Sequence, residues 1–540
     1  MQRTLYLLLV LLLACLPACA QTVGEITGEI KDSSDAVIPG AVVTATNQAT
    51  NAVRTAISND AGVYGFPALQ PGVYNLRVEK QGFRAVTQSE VSLQVQQTLR
   101  IDFTLQLGQV TQTIEVAAPT PLLATENATV GTVIENKRIV ELPLNGRNYL
   151  QLVALSPNVS AEFAGPGQSG ARQGGSRSVQ QLSISGQRRE FNYFTLDGID
   201  NTDVNFNTYI FLPSIDALQE FKVQTGIYPA EFGRESGQVN VSTKSGTNSL
   251  HGAVFEFLRN DVLDARPYAF TTARPPKPPF KWNQYGYTAG GPVFIPKIFD
   301  GRNRLFFITN FEGYRDRKQL QNLYSVPSAA MRTGDFSELL PKTAISDPTK
   351  CAVVGSTRTC TPFLGNLIPM GRQDPIALKL LEFYPPPNIA GAGLTNNYLA
   401  LDNRQINKDQ YTQRVDFVQS SRSSWFGRYS WGNELEIAPA LKLNGTKLIT
   451  RVRQFVISNT RTFSPSVVNE FRFGYNYFFN TFGRELAFTR DVVAELGIPG
   501  LTDPPPAAWG IPEIPIKGFS TFGDSTEGPY TNKNHTFEWV

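Results

Sequence analysis

Histidine is nearly absent: the chain has two, His251 and His535, in 540 residues. Imidazole-based zinc sites and Ser-His-Asp chemistry therefore have almost no material. Charged residues are sparse at 18%, and the net charge of +3 is spread along the chain. A nucleic-acid surface would show clustered Lys and Arg instead, so no nucleic-acid partner is expected. After residue 20 no apolar run is long enough to cross a bilayer as a helix. Any residence in a membrane must come from strands. Cysteine is limited to four, and two of them, Cys15 and Cys19, lie at the N-terminus.

That N-terminus reads as a signal peptide over residues 1–20. Arg3 supplies the positive start, residues 5–13 the apolar run, and Ala18-Cys19-Ala20 a small-x-small cleavage site. A rival reading makes Cys19 a lipidated cysteine, which Pro17 fits poorly. Export leaves Cys351 and Cys360 in an oxidising compartment, where a disulfide between them is expected. Two free thiols are the alternative. The spacing is not that of a redox-active C-x-x-C pair. Phe (35), Tyr (19), Gly (44) and Pro (36) are abundant, a mixture that favours strands and turns.

Residues 21–108 read as an all-β unit. Leu99, Ile101, Phe103 and Leu105 alternate with polar residues, and turn signals recur between short strands. The order Asn59-Asp60-Ala61-Gly62-Val63-Tyr64, then Leu69-Gln70-Pro71-Gly72-Val73-Tyr74, resembles the carboxypeptidase regulatory-like domain. That resemblance implies a non-catalytic, transthyretin-like β-sandwich. A linker follows over 109–121. Its residues Thr113, Ile114, Glu115, Val116 and Ala117 resemble a TonB box, an extended segment that pairs with an edge strand of TonB. The same five residues also read as a last sandwich strand or a β-prone linker.

Residues 122–248 carry the most particular signal. Short helices are expected over 136–142 and 148–155, and another over 215–221. Strands are expected over 182–186, 194–199 and 238–244, with a mobile Gly- and Arg-rich loop over 161–179. The phrases LPLNGRNYLQLVALSPNV, LSISGQRREFNYFTLDGID and YPAEFGRESGQVNVSTKSGTN resemble the plug of TonB-dependent outer-membrane proteins of the Oar-like subgroup. Asp197, Asp200 and Asp203 cluster in DGIDNTD, but they lack the spacing of an EF-hand loop. An Asp-Gly hairpin turn explains them, and no metal site is assigned. Arg188, Arg189 and Glu190 suit ion pairs at the surface or against a barrel. Together with Arg147, Arg172 and Arg177, the arginines could instead line an anionic path.

From residue 249 the pattern becomes that of membrane-barrel strands. In 469–479 the odd positions are Asn469, then Phe471, Phe473, Tyr475, Tyr477 and Phe479; the even positions are mostly polar. Similar runs fall at 253–259, 284–291, 305–313, 411–420, 425–431 and 453–463. Residues 315–405 and 495–533 are expected as outside loops. Seven to nine strands are legible, fewer than the about 22 of a plugged transporter, so the chain reads as the first part of a barrel. The expected fold is mainly β: a sandwich, an α+β plug and a transmembrane antiparallel β-barrel over 249–540.

The resemblance implies an outer-membrane, TonB-dependent, Oar-like receptor or transporter with its N-terminal domains in the periplasm. Its partners would be outer-membrane lipid and TonB with the inner-membrane ExbB/ExbD complex. The ligand stays open among siderophore, carbohydrate, peptide and exported protein. No catalytic residue, metal or cofactor is assigned, and a secreted hydrolase lacks candidate residues. The alternative is an outer-membrane-anchored surface protein whose sandwich binds carbohydrate or protein without transport.

Overall fold

The computed structural model describes residues 23–540 except 109–112, 117–128, 163–180, 189–190, 206, 227, 229–236, 267, 269–276, 442–444, 465–466 and 525–528. The expected signal peptide, Ala117, Arg172, Arg177, Arg189, Glu190 and most of the expected loop 161–179 lie outside the described residues.

The first unit comprises β1 (Gly24–Asp32), β2 (Val42–Asn47), β3 (Val53–Ile57), β4 (Val63–Leu69), β5 (Gly72–Glu79), β6 (Ala85–Leu93), β7 (Thr98–Arg100), β8 (Phe103–Leu105) and β9 (Thr113–Val116). One sheet runs β4-β1-β7, with β8 also on β1; the other runs β3-β2-β5-β6-β9. Period-2 alternation puts Ile26, Ile30, Leu76, Val78, Leu99 and Phe103 in a shared core. Gly62 takes φ +75° ahead of β4, a turn conformation that suits glycine.

The second unit holds β10 (Gly131–Glu135), β11 (Val159–Glu162), β12 (Gln181–Ile184), β13 (Asn192–Leu196), β14 (Ile199–Asp200), β15 (Leu218–Gln224) and β16 (Gly237–Thr243). Its main sheet is ordered β10-β15-β16-β13-β14. A helix over Asn136–Glu141 and a 3₁₀ segment over Tyr149–Leu155 cover that sheet with Ile139, Tyr149, Leu150 and Val153. The expected helix over 148–155 is thus a 3₁₀ segment. The expected helix over 215–221 shrinks to one 3₁₀ turn, Ile215–Ala217. From Leu218 the chain pairs along its whole length with β16, so Phe221 and Val223 fill the sheet core instead of a helix face.

The third unit is an antiparallel sheet ordered β17-β18-β21-β24-β25-β26-β27-β28. In chain order its elements, with two outlying hairpins, are β17 (His251–Asn260), β18 (Phe280–Pro292), β19 (Phe294–Ile295), β20 (Phe299–Asp300), β21 (Leu305–Tyr324), β22 (Ser346–Val354), β23 (Thr357–Pro362), β24 (Tyr398–Ser420), β25 (Ser423–Ala438), β26 (Thr446–Ser464), β27 (Val467–Arg484) and β28 (Tyr530–Trp539). On β27 the side chains of Glu470, Arg472, Asn476 and Asn480 are buried, while Phe471 is exposed on the opposite face. Phe478 breaks the polar pattern of the inward positions because it packs into the plug core with Val452.

Several strands run well past their apolar stretches. On β21 the extension carries Arg315, which pairs with Asp409 at 2.8 Å, and Arg317, which donates to Asn407 Oδ1 at 2.7 Å. Polar cross-strand ladders replace aromatic alternation there. The first long connection is accordingly narrower than expected from sequence, 325–397, and the second lies earlier and is longer, 485–529. Cys351 and Cys360 face each other across the β22–β23 hairpin and form a disulfide.

Candidate functional site

The second unit sits against the inward face of the large sheet. Gln284 on β18 donates to Gly146 O at 3.3 Å, and Glu312 on β21 accepts from Ser214 Oγ at 2.6 Å. Gln454 on β26 donates to Asn201 Oδ1 at 2.8 Å, and Glu538 on β28 accepts from Asp200 N–H at 2.7 Å. The sheet therefore curves round this unit as a wall round a plug.

The tightest contacts gather at the β13–β14 hairpin. Asp197 and Gly198 both have positive φ, at 52° and 75°. This is the two-residue turn expected of Asp-Gly. The turn is only half of the role of Asp197. Its carboxylate is buried, 2.6 Å from Arg428 Nε and 3.3 Å from Arg414 Nη1 on the wall. It also accepts Thr243 N–H at 2.8 Å and Thr243 Oγ1 at 2.9 Å. Burial pushes this carboxyl up, but the two guanidiniums and the Thr243 bonds outweigh it and hold it below the usual carboxylate range. Arg472 donates to Gly198 O at 3.2 Å and is ion-paired with Glu470. Asn476 donates to Asp200 O at 2.5 Å. With Glu538 on β28, side chains from four wall strands thus hold this one hairpin.

Toward the long loops the plug and wall enclose a cavity of about 550 Å³. Its lining includes Tyr209, Phe211, Trp282 and Tyr314 and several charged groups. Several of those charges are paired. Arg147 pairs with Asp216 and Glu312, Arg404 with Asp316 at 3.3 Å, and Lys408 with Glu434 at 2.9 Å. Arg147 also lies over the Phe255 ring at 4.1 Å. Of the arginines singled out from sequence, Arg147 and Arg188 are described: Arg147 lines this cavity, and Arg188 does not. Glu312, Gln284, Arg414, Arg428 and Arg472 were missed. Their signal was a charged or amide residue on the inward parity of an aromatic-alternating strand.

At the short-turn end the sandwich meets both other units. Asn51 donates to Asn303 Oδ1 at 3.0 Å, and Arg54 to Thr462 Oγ1 at 2.7 Å. Val95 N–H donates to Glu220, and Lys222 donates to Gln96 O at 3.1 Å. Thr113, Ile114, Glu115 and Val116 form β9, paired in parallel with β6. Among the described residues no group of His, Cys, Asp and Glu could hold a metal ion.

Residues 242–540 match the family described as Outer membrane beta barrel domain. The chain belongs to that family. Its inward polar and outward aromatic alternation is how such a barrel sits in the outer membrane. Residues 25–106 match the Carboxypeptidase regulatory-like domain. Among curated relatives, the TonB-dependent transporter Oar of Myxococcus xanthus is 27% identical over 297 residues, covering 52% of this chain and 26% of that protein. Solved structures similar to this barrel chain include the outer membrane transporter YddB of Escherichia coli, at TM-score 0.41 and 11% identity, covering 66% of this chain and 40% of that one. A ferric enterobactin receptor of Pseudomonas aeruginosa follows at TM-score 0.35 and 10% identity, covering 66% and 42%. The chain spans about a quarter of the length of the curated relative it matches.

Proposed function

We propose that this outer-membrane barrel protein works as a TonB-dependent transporter of the Oar type and performs no bond chemistry. The observation that carries this reading is the plug hairpin. Asp197 is held in the barrel by Arg414 and Arg428, buried yet fully polar. Apolar packing would make a permanent core. An ionic and hydrogen-bonded contact can be exchanged for water once water is admitted, which suits a plug that must move. The cavity above the plug is the proposed ligand entry, and Thr113 to Val116 the proposed coupling segment. Glu115 and its neighbours already adopt the extended backbone that strand addition requires. In this reading the partners are outer-membrane lipid, TonB with its energising complex, and a ligand still to be named.

Cysteines placed at Thr113 and Val116 test the reading in intact cells. Both are expected to form disulfides with a cysteine in the box-binding strand of TonB. A collapsed proton gradient should change the yield. No cross-link from either position, with the protein present in the outer membrane, would overturn the coupling assignment.

A further inference from the structure

Strand β9 ends the five-stranded sandwich sheet. Its inner edge pairs with β6 through Ala85–Thr113, Val86–Ile114, Thr87–Glu115 and Gln88–Val116. Among the described residues no strand pairs with its outer edge. Backbone N–H and C=O groups therefore point outward there, the pattern that receives one more extended chain.

Chain lengths then decide what feels a pull on β9 first. On its N-terminal side the sandwich holds the chain as far as Gly108, whose N–H donates to Gly82 O at 3.0 Å. Only residues 109–112 join that anchor to β9. On the C-terminal side the plug begins at Val130, whose carbonyl accepts Thr225 N–H at 3.0 Å. Residues 117–129 lie between. At full extension the shorter segment reaches about 14 Å and the longer about 45 Å. Because β9 is also hydrogen-bonded to β6, a pull on it loads the sandwich directly, whereas the plug is reached only through residues 117–129.

The sandwich is also what stands in the way. It is seated on barrel turns through Asn51–Asn303, Arg54–Thr462 and a bond from Asn248 N–H to Ala49 O at 2.9 Å. It is seated on plug strand β15 through Val95–Glu220 and Gln96–Lys222. Val95 is buried although it is no member of the sandwich core cluster.

We infer that the sandwich, which holds β9 as its edge strand, is the first body the inner-membrane coupling protein lifts off the plug and barrel. This rests on the coupling role given to Thr113–Val116 above. The sandwich then acts as a second closure beneath the plug, carrying its own handle.

Val95→Cys reports the lift in cells that make the full-length protein and TonB. A porin-permeant maleimide is expected to label it several-fold faster in energised cells than in cells lacking TonB. Asn51→Cys with Asn303→Cys, oxidised, fastens the sandwich to the barrel and should abolish that gain. Thr113→Cys should still cross-link to TonB in the fastened protein, because the outer edge of β9 is open while the sandwich is seated. Labelling of Val95→Cys that ignores TonB, or that rises equally in the fastened protein, overturns the inference and leaves the coupling assignment standing. A TonB-dependent rise that survives deletion of residues 113–116 removes the coupling assignment and keeps the lift. Self-linked Thr113→Cys dimers formed without TonB would make a second copy, not the coupling protein, the occupant of that edge.

Discussion

Asp197 and Arg428 form a buried ion pair, Oδ2 to Nε 2.6 Å, between the tip of the plug hairpin and the barrel wall. The two residues lie in different units and meet only because β13 and β14 aim the turn at β25. Arg414 approaches the other carboxylate oxygen at 3.3 Å and is itself paired with Asp416 at 2.7 Å, so two cations share two acids.

Asp197→Asn keeps the size of the side chain and removes its charge. Arg428 then loses its counter-charge, while Arg414 keeps Asp416 at 2.7 Å; removing one partner of a buried pair costs about 3–5 kcal/mol. The plug should become protease-sensitive at lower urea while the barrel strands stay folded. Wild-type resistance should hold from neutral pH down to about 4. A carboxyl depressed in the folded state gives stability that is present above its unfolded pKa of about 3.9 and is lost as pH falls through the lower folded value. Equal urea sensitivity of the two proteins would show that the hairpin is not what seats the plug.

Gly198 gives a steric version of the same test. A Cβ there would lie 1.7 Å from Arg472 Nη1, and the residue has φ +75°. Gly198→Ala must therefore displace the arginine and also adopt a left-handed backbone, which alone costs an L-residue about 1–2 kcal/mol. Loss of plug protection close to that of Asp197→Asn is expected in the same proteolysis assay. Gly146→Ala is the control, because its φ is also positive at +67° but nothing lies within 4 Å of the added carbon.

The sequence disclosed different parts of this molecule to different degrees. Aromatic alternation on Phe471, Phe473, Tyr475 and Tyr477 marked β27 because lipid selects one face and the lumen the other. It failed past Gly313 on β21, where Arg315 and Asp409 replace that contrast with a polar ladder. Asp197 was legible as a turn former, since Asp-Gly carries its own backbone preference. Its counter-ions were not, because Arg414 and Arg428 are more than two hundred residues away and a pairing across units leaves no local pattern. Phe478 shows the reverse case. It is the apolar exception on the polar face of β27, and the plug core supplies its reason. Thr113–Val116 read equally as a coupling segment and as a sandwich strand. The structure gives the strand pairing, and the coupling role stays a proposal.

The lipid-facing side makes a prediction independent of the plug. Phe455 lies midway along β26 and is 40% exposed. Phe455→Arg should destabilise folding into bilayers by about 2–4 kcal/mol, the cost of a cation near the membrane midplane. Gln454→Ala, one residue away, faces Asn201 of the plug and should leave membrane folding nearly unchanged while loosening the plug. Urea titrations in lipid vesicles, read by tryptophan fluorescence and by plug proteolysis, separate the two effects. Similar membrane-folding losses for both substitutions would contradict the assigned parity of β26.

The seat of the sandwich on the plug should respond to pH in a definite direction. Glu220 accepts Val95 N–H, and its carboxyl is pushed up to about 7, chiefly by burial and secondarily by Glu135; the Val95 bond and Lys222 oppose the rise. A raised folded pKa means that the seated state prefers the protonated acid. Its contribution is full below the unfolded pKa of about 4.3 and is lost as pH rises through about 7. Lys222 is pushed down to about 8 by burial, so it favours seating only as pH climbs past that value. Between about pH 5 and pH 8 the ionisation of Glu220 decides the balance, and seating should weaken with rising pH. Val95→Cys labelling in purified protein, normalised to an exposed cysteine, should therefore accelerate across that range. Glu220→Gln keeps an oxygen for Val95 and removes the titration, so its normalised rate should be flat. A slope that persists in Glu220→Gln would move the titrating group elsewhere in the seat.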